Sequence, residues 1–186
     1  MPFSEIAMYT IVFLALYVQV FFMVTFFERR KHLNKLHDED LPVLTEFPTV
    51  AVIVPAWNEG TTVHGTIESL LNLDYPKDKL ELIVVDDGST DDTWQEMLRY
   101  KDHPQVRIFQ KENGGKHTAV NFGIDNTKAD FISCLDADSF VAPDALKRMI
   151  NVFQKKPETM AVAPSLIVNK PKNILQYAQR VEYNMS

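Results

Sequence analysis

Two carboxylates separated by one small residue, Asp136-Ala137-Asp138, follow the apolar run Phe131-Ile132-Ser133-Cys134-Leu135. Leaving a strand at that spacing, both can offer oxygen to one hard cation. Mg2+ and Mn2+ accept such sparse protein ligation when a diphosphate supplies further oxygens. A lone DxD triplet is common; its place at the end of an apolar run gives it weight. A second pair, Asp86-Asp87, ends the run at 80–85 and opens Gly88-Ser89-Thr90-Asp91. Adjacent carboxylates are costly unless a nucleobase imide N–H, a ribose hydroxyl or a cation attends them. An Asx-turn with a helix cap accounts for Ser89 to Asp91 but hardly for Asp86 and Asp87 together.

Two further stretches have the composition of ligand loops. In Asn113-Gly114-Gly115-Lys116 the glycines let backbone approach an anion, and a helix start with Lys116 adds positive potential. The GxxxxGK[ST] spacing of a phosphate-binding P-loop is absent. His117 reads as a solvated first-turn residue. In Pro55-Ala56-Trp57-Asn58-Glu59-Gly60, Pro fixes φ and Gly ends the turn, as in an ordinary strand-to-helix connection. No GxGxxG follows the first apolar run, which disfavours a dinucleotide-binding domain.

The elements that must position these residues alternate. Short apolar runs at 49–54, 80–85, 106–109 and 131–135 lack polar alternation, as strands buried on both faces do. Helical stretches lie at 62–71, 92–100, 116–126 and 143–153. Asp91 or Thr90 can cap the second, and Pro143 suits the first turn of the last. This order predicts an α/β fold, a mainly parallel sheet with flanking helices. Right-handed crossovers would then bring all four loops to one rim.

The chain has 186 residues, 46% of them apolar and 24% charged, with net charge −6 and pI near 5.3. The acidic balance, without a basic stripe, argues against nucleic acid as a partner. One cysteine excludes an internal disulfide, and the run around Cys134 predicts a buried, inert thiol.

Residues 6–27 carry no formal charge. As a helix of roughly 1.5 Å per residue this run is about 33 Å long, enough to cross a membrane. Bulky Phe26-Phe27 at its end is unlike a signal-peptide cleavage site. Arg29, Arg30, Lys31 and Lys35 follow it, so the positive-inside rule places the N-terminus outside and the rest in the cytoplasm. The expected organisation is a transmembrane helix with basic flank at 1–36, a linker at 37–47 and a nucleotide-binding domain at 48–186.

VAVIVPAWNE, LELIVVDDGSTDDT, NGGKHTAVNFGI and LDADSFVAPDAL, in this order, resemble the family 2 glycosyltransferases of GT-A fold. The leading helix and the tail at 174–183 look similar to the membrane-embedded processive branch, which includes hyaluronan, chitin and poly-N-acetylglucosamine synthases. The resemblance implies a membrane-anchored inverting hexosyl- or N-acetylhexosaminyltransferase. It would take a UDP-sugar with Mg2+ or Mn2+ and transfer the sugar to a glycan or lipid-linked acceptor in polysaccharide synthesis. Pro55, Ala56 and Glu59 would line the nucleotide pocket, and Asp87 with Asp86 would hold the uracil. Lys116 would lie near the base or diphosphate. Gly88, Asn113 and Ala137 complete the implied nucleotide set. Asp136 and Asp138 match the family's metal motif, with Asp138 the direct ligand. Trp57 stands where Tyr is usual and keeps a flat aromatic surface.

The family's catalytic-base Asp and its Gln-x-x-Arg-Trp motif have no counterpart here. The base is therefore expected beyond Ser186, and the chain reads as a truncated piece that does not turn over alone. Two other readings stay open at this point: a non-catalytic membrane-bound nucleotide-binding module, and a nucleotidyltransferase.

Overall fold

The computed structural model describes residues 2–38, with side chains to 28, then 44–164, 173, 175–177 and 179. Most of the tail expected to resemble the processive branch, and Pro42 of the expected linker, lie outside the described residues. Two compact units are present, Met1–Asp40 with Ala163–Ser186, and Leu41–Val162.

In the first unit α1 (Phe3–Asp38) is one helix of 36 residues. It contains neither Gly nor Pro, so nothing in the sequence breaks it at the ends of the apolar run. Its stretch Phe3–Glu28 is long and apolar enough to cross a membrane, and none of its most apolar window is buried in protein. The hydroxyls of Thr10 and Thr25 donate to the carbonyls of Ile6 and Phe21 at 2.8 Å. Its hydroxyls at these positions thus find partners inside the helix.

The second unit is built on four parallel strands, β1 (Val50–Ala56), β2 (Leu80–Asp86), β3 (Val106–Gln110) and β4 (Phe131–Cys134), in the order β3-β2-β1-β4. Ala56 sits opposite Asp86, and Asp86 opposite Gln110, so the strand ends align on one rim. Helices α2 (Val63–Leu71), α3 (Thr93–Leu98), α4 (Lys116–Asp125) and α5 (Ala145–Lys155) connect or follow the strands. A short 3-10 turn, Lys77–Lys79, leads into β2.

Alternation along β1 feeds two cores. Val50, Val52 and Val54 pack with Val63, Ile67 and Leu70 of α2, Met97 of α3 and Ile150 of α5. Ala51 and Ile53 pack with Ile83, Val85 and Ala119 of α4 on the other face. Each fully buried Ile or Leu is worth about 1.5–3 kcal/mol of transfer free energy. At Gly123 an added Cβ would lie 2.6 Å from Ile53 Cγ2, so glycine sets how closely α4 approaches the sheet.

Burial on both faces holds for β1 and, apart from Glu81, for β2, but not for β3 or β4. Those two are the edges of the sheet among the described residues. Ile132 is 47% exposed and Cys134 is exposed, which corrects the expectation of a buried thiol: among the described residues β4 has a neighbour strand on one side only. Pro143 also lies before α5, not in its first turn; Asp144 is the N-cap, and the Pro143 carbonyl accepts the N–H of Asp74 at 2.8 Å. Asp92 is the N-cap residue of α3, while Asp91 Oδ1 accepts the N–H of Thr93 at 3.0 Å.

From β1 the chain steps through β2 to β3 on one side, then places β4 on the other side of β1. A doubly wound sheet opens a crevice at such a reversal, beyond the strand C-termini.

Candidate functional site

A cavity of about 380 Å³ occupies that crevice. Its lining comes from all four strand ends and the loops that follow them: Pro55 and Ala56 at the end of β1 with Trp57 and Glu59 after it, Asp87 after β2, Asn113 and Gly115 before α4 with Lys116 at its start, and Asp136, Ala137 and Asp138 after β4.

The loops are locked to one another by polar contacts. The β1 loop turns at Asn58, which takes φ 56°, a left-handed conformation that Asn tolerates better than most residues. Its N–H donates to Ser89 Oγ at 2.9 Å, and its side-chain oxygen accepts the Thr90 N–H at 2.9 Å. The N–H groups of Glu59 and Gly60 donate to Thr93 Oγ1 and Asp91 Oδ2 at 2.8 and 3.1 Å. Thr66 Oγ1, wholly buried, donates to the carbonyl of Ala137 at 2.8 Å and fixes the β4 loop against α2.

Asp87 is the centre of this arrangement. Its Oδ1 accepts from Lys111 Nζ at 2.6 Å and the Gly114 N–H at 3.1 Å, and its Oδ2 accepts the Gly115 N–H at 2.8 Å. Burial opposes the charge on this carboxyl, but the Lys111 hydrogen bond, the two backbone N–H groups and the lysine's charge outweigh it. The carboxyl is thereby held below its ordinary range. Gly115, the N-cap of α4, has φ 90° and ψ 157°, so glycine is what allows its N–H to point at Asp87.

Across the cavity, Lys116 Nζ lies 2.5 Å from Asp136 Oδ1, with both side chains more than half exposed. The Asp136 hydrogen bond raises the lysine's pKa against the opposing effect of desolvation, and the charges of Asp136 and Asp138 add to the rise. Asp138 keeps a hydrogen bond from Ser139 Oγ at 3.3 Å.

Most residues singled out from the sequence converge here, with two exceptions. Asp86, expected beside Asp87 at a base, is wholly buried and off the cavity wall. Its oxygens accept the Ser89 N–H at 3.1 Å and Gln110 Nε2 at 2.8 Å, so its charge is attended from within the protein. Gly88 likewise is not among the lining residues. His117 is exposed in the first turn of α4, as expected. Sequence reasoning missed Lys111, whose position follows from strand register: Gln110 pairs with Asp86, so the next residues of both strands emerge side by side.

No group of three or more His, Cys, Asp or Glu suited to a metal occurs among the described residues. Asp136 and Asp138 offer two hard carboxylates on one wall, and Asp136 already attracts a cation in the form of Lys116. That donor set fits a hard divalent ion that draws its remaining oxygens from a bound ligand.

Residues 51–185 match the family model described as Glycosyl transferase family 2. The chain is 32% identical over 176 residues to a poly-beta-1,6-N-acetyl-D-glucosamine synthase of Staphylococcus epidermidis, covering 92% of this chain and 41% of that protein. Against the synthase of the same name from Staphylococcus aureus (strain COL) it is 31% identical over 186 residues, covering 98% and 44%. It thus spans less than half the length of these relatives. Among solved structures, S. aureus TarS 1-349 in complex with UDP-GlcNAc aligns with a TM-score of 0.55 at 25% identity, over 65% of this chain and 38% of that one. A mannosyltransferase from Pyrobaculum calidifontis in complex with GDP-Man and Mn2+ aligns with a TM-score of 0.55 at 26% identity, over 75% and 43%.

Proposed function

The chain belongs to glycosyl transferase family 2, with a GT-A-like parallel sheet, and from that we propose that its cavity takes a UDP-sugar with Mg2+ or Mn2+. The sugar would pass, with inversion, to a glycan or lipid-linked acceptor in polysaccharide synthesis. The observation that carries the reading is one cavity joining an aromatic face, a buried anionic acceptor, a positive helix start and a carboxylate pair.

Trp57, 57% exposed at the cavity, offers a flat face to a base or sugar. Pro55, Ala56 and Glu59 would border the nucleotide with it. Among the described residues, Asp87 Oδ2 accepts only the Gly115 N–H, which leaves acceptor capacity for a uracil imide N–H. Lys116, in the first turn of α4, brings positive charge to a diphosphate. Asp136 and Asp138 would hold the divalent ion, which when bound offsets charge growing on the departing UDP. The base that takes the acceptor's proton is assigned to sequence that the longer relatives carry and this chain does not span. An N-acetylhexosamine donor is favoured by the relatives, two of them poly-N-acetylglucosamine synthases and one a structure with UDP-GlcNAc.

We place α1 across a membrane with its N-terminus outside and the cavity in the cytoplasm, because Arg29, Arg30 and Lys31 follow the apolar stretch.

Calorimetric titration of the whole chain in detergent tests the reading. UDP should bind, more tightly with Mn2+ than without, and Asp138→Ala should remove the gain from Mn2+. A folded chain that binds no UDP with either metal would overturn the donor assignment; equal affinity with and without Mn2+ would overturn the metal assignment alone.

A further inference from the structure

The charges around the cavity are partly paired within the protein, and the pairs are unequal. Asp87 and Lys111 form a nearly buried pair, with side chains 3% and 22% exposed, backed by backbone N–H groups from Gly114 and Gly115. Nothing entering the cavity could separate them without exposing that whole network. Lys116 and Asp136 also form a pair, but in the open, with side chains 60% and 55% exposed. Among the described residues no other donor reaches the carboxylate of Asp136, and the carboxylate of Asp138 beside it has only a long contact from Ser139 Oγ. Lys116 therefore sits on one of the two carboxylates that suit a divalent ion. It also lies at the start of α4 on the cavity wall, where the helix N-terminus and an ammonium together favour an anion.

We propose that Lys116 is an internal counter-cation: it pairs with Asp136, is displaced from it when a divalent ion binds, and then turns to the nucleotide's phosphates. The proposal rests on the UDP and metal reading above and adds to it a positioning role for Lys116 and a coupling between the two ligands. One ammonium cannot serve Asp136 and a diphosphate equally. A metal that frees the lysine helps the nucleotide, and by reciprocity a nucleotide that draws the lysine away helps the metal by the same factor. Without nucleotide, the ion must compete with Lys116, so metal binding to the empty chain is weakened by about the worth of an exposed ion pair, roughly two- to fivefold.

Two measurements on the whole chain in detergent test this, with circular dichroism to confirm that each variant is folded. In the first, electron paramagnetic resonance follows free Mn2+ in nucleotide-free titrations. Lys116→Met should bind Mn2+ about two- to fivefold more tightly than the parent, and Lys116→Arg, which keeps charge and pairing, should match the parent. In the second, amine acetylation at Lys116 is read by peptide mass spectrometry. Labelling should rise when Mn2+ is added, fall again when UDP joins it, and be high without Mn2+ in Asp136→Asn. Unchanged or weaker Mn2+ binding by Lys116→Met, no Mn2+ binding by either chain, or labelling indifferent to both Mn2+ and Asp136→Asn would overturn the proposal. If UDP binds the parent normally while these fail, only the Lys116 role falls. If UDP does not bind, the donor reading falls and with it the lysine's turn to phosphate, while the two Mn2+ experiments still decide whether Lys116 competes with the metal for Asp136.

Discussion

The carboxylate of Asp87 and the backbone N–H of Gly115 meet at 2.8 Å across 28 positions of sequence. This one contact ties the end of β2 to the start of α4 and thereby sets the floor of the cavity. It is part of a network with Lys111, so removing the carboxylate would leave two N–H groups without their acceptor and the Lys111 ammonium without its counter-charge, with only the Glu112 carbonyl and the Thr118 hydroxyl to accept from it. Asp87→Ala should destabilise the second unit by about 3 kcal/mol, the scale of breaking a buried ion pair. Urea unfolding in detergent measures it; a loss below about 1 kcal/mol would mean that water replaces the carboxylate freely.

The same network predicts the direction of the pH response. The folded carboxyl of Asp87 titrates below its ordinary value, and so does that of Asp91, held chiefly by the Thr93 hydroxyl. A depressed folded pKa stabilises the native chain above the unfolded pKa, near 4, and the contribution disappears as pH falls through the lower folded value. Unfolding midpoints should be flat from pH 7 to about 5 and decline below about 4. Asp87→Asn should start lower and decline less steeply; an identical decline would remove Asp87 from the linkage.

Gly115 is held at φ 90° and ψ 157°, a region essentially reserved for glycine. Gly115→Ala should cost about 1–3 kcal/mol of stability. Because the strain falls on the loop that carries Lys116, UDP affinity should drop as well. Parent-like stability and affinity together would show that the loop re-forms without that conformation.

Cys134 is the one cysteine and is exposed on edge strand β4. A thiol reagent should modify one group per folded chain without denaturant. Modification that requires unfolding would restore the buried thiol that the sequence suggests.

Much of the fold was legible in sequence because its signals are local. The apolar runs at β1 and, apart from Glu81, at β2 called for burial on both faces, and turn residues after each run placed the loops. A stretch of 26 residues from Phe3 to Glu28 without helix breakers was enough to give the candidate membrane helix. The candidate cavity was legible for a related reason: parallel strands with right-handed crossovers put every strand-end loop on the same rim, so local motifs were bound to become neighbours.

Strand order and register belong to the tertiary structure, and they decided what the carboxylates do. Asp86 and Asp87 are identical in type and adjacent in sequence, yet successive strand residues point to opposite sides. One therefore turns to Ser89 and Gln110 in the interior, the other to the cavity, Lys111 and the α4 loop. Cys134 sits in an apolar run like those of the central strands, but only the sheet order makes β4 an edge and exposes it. The sequence by itself determined the elements, the loops and the residue types gathered on the rim, since each depends on neighbours along the chain. Which carboxylate faces the cavity, and which lysine is held in a buried network or paired in the open, depends on partners dozens of residues away, and only the folded sheet could bring those together.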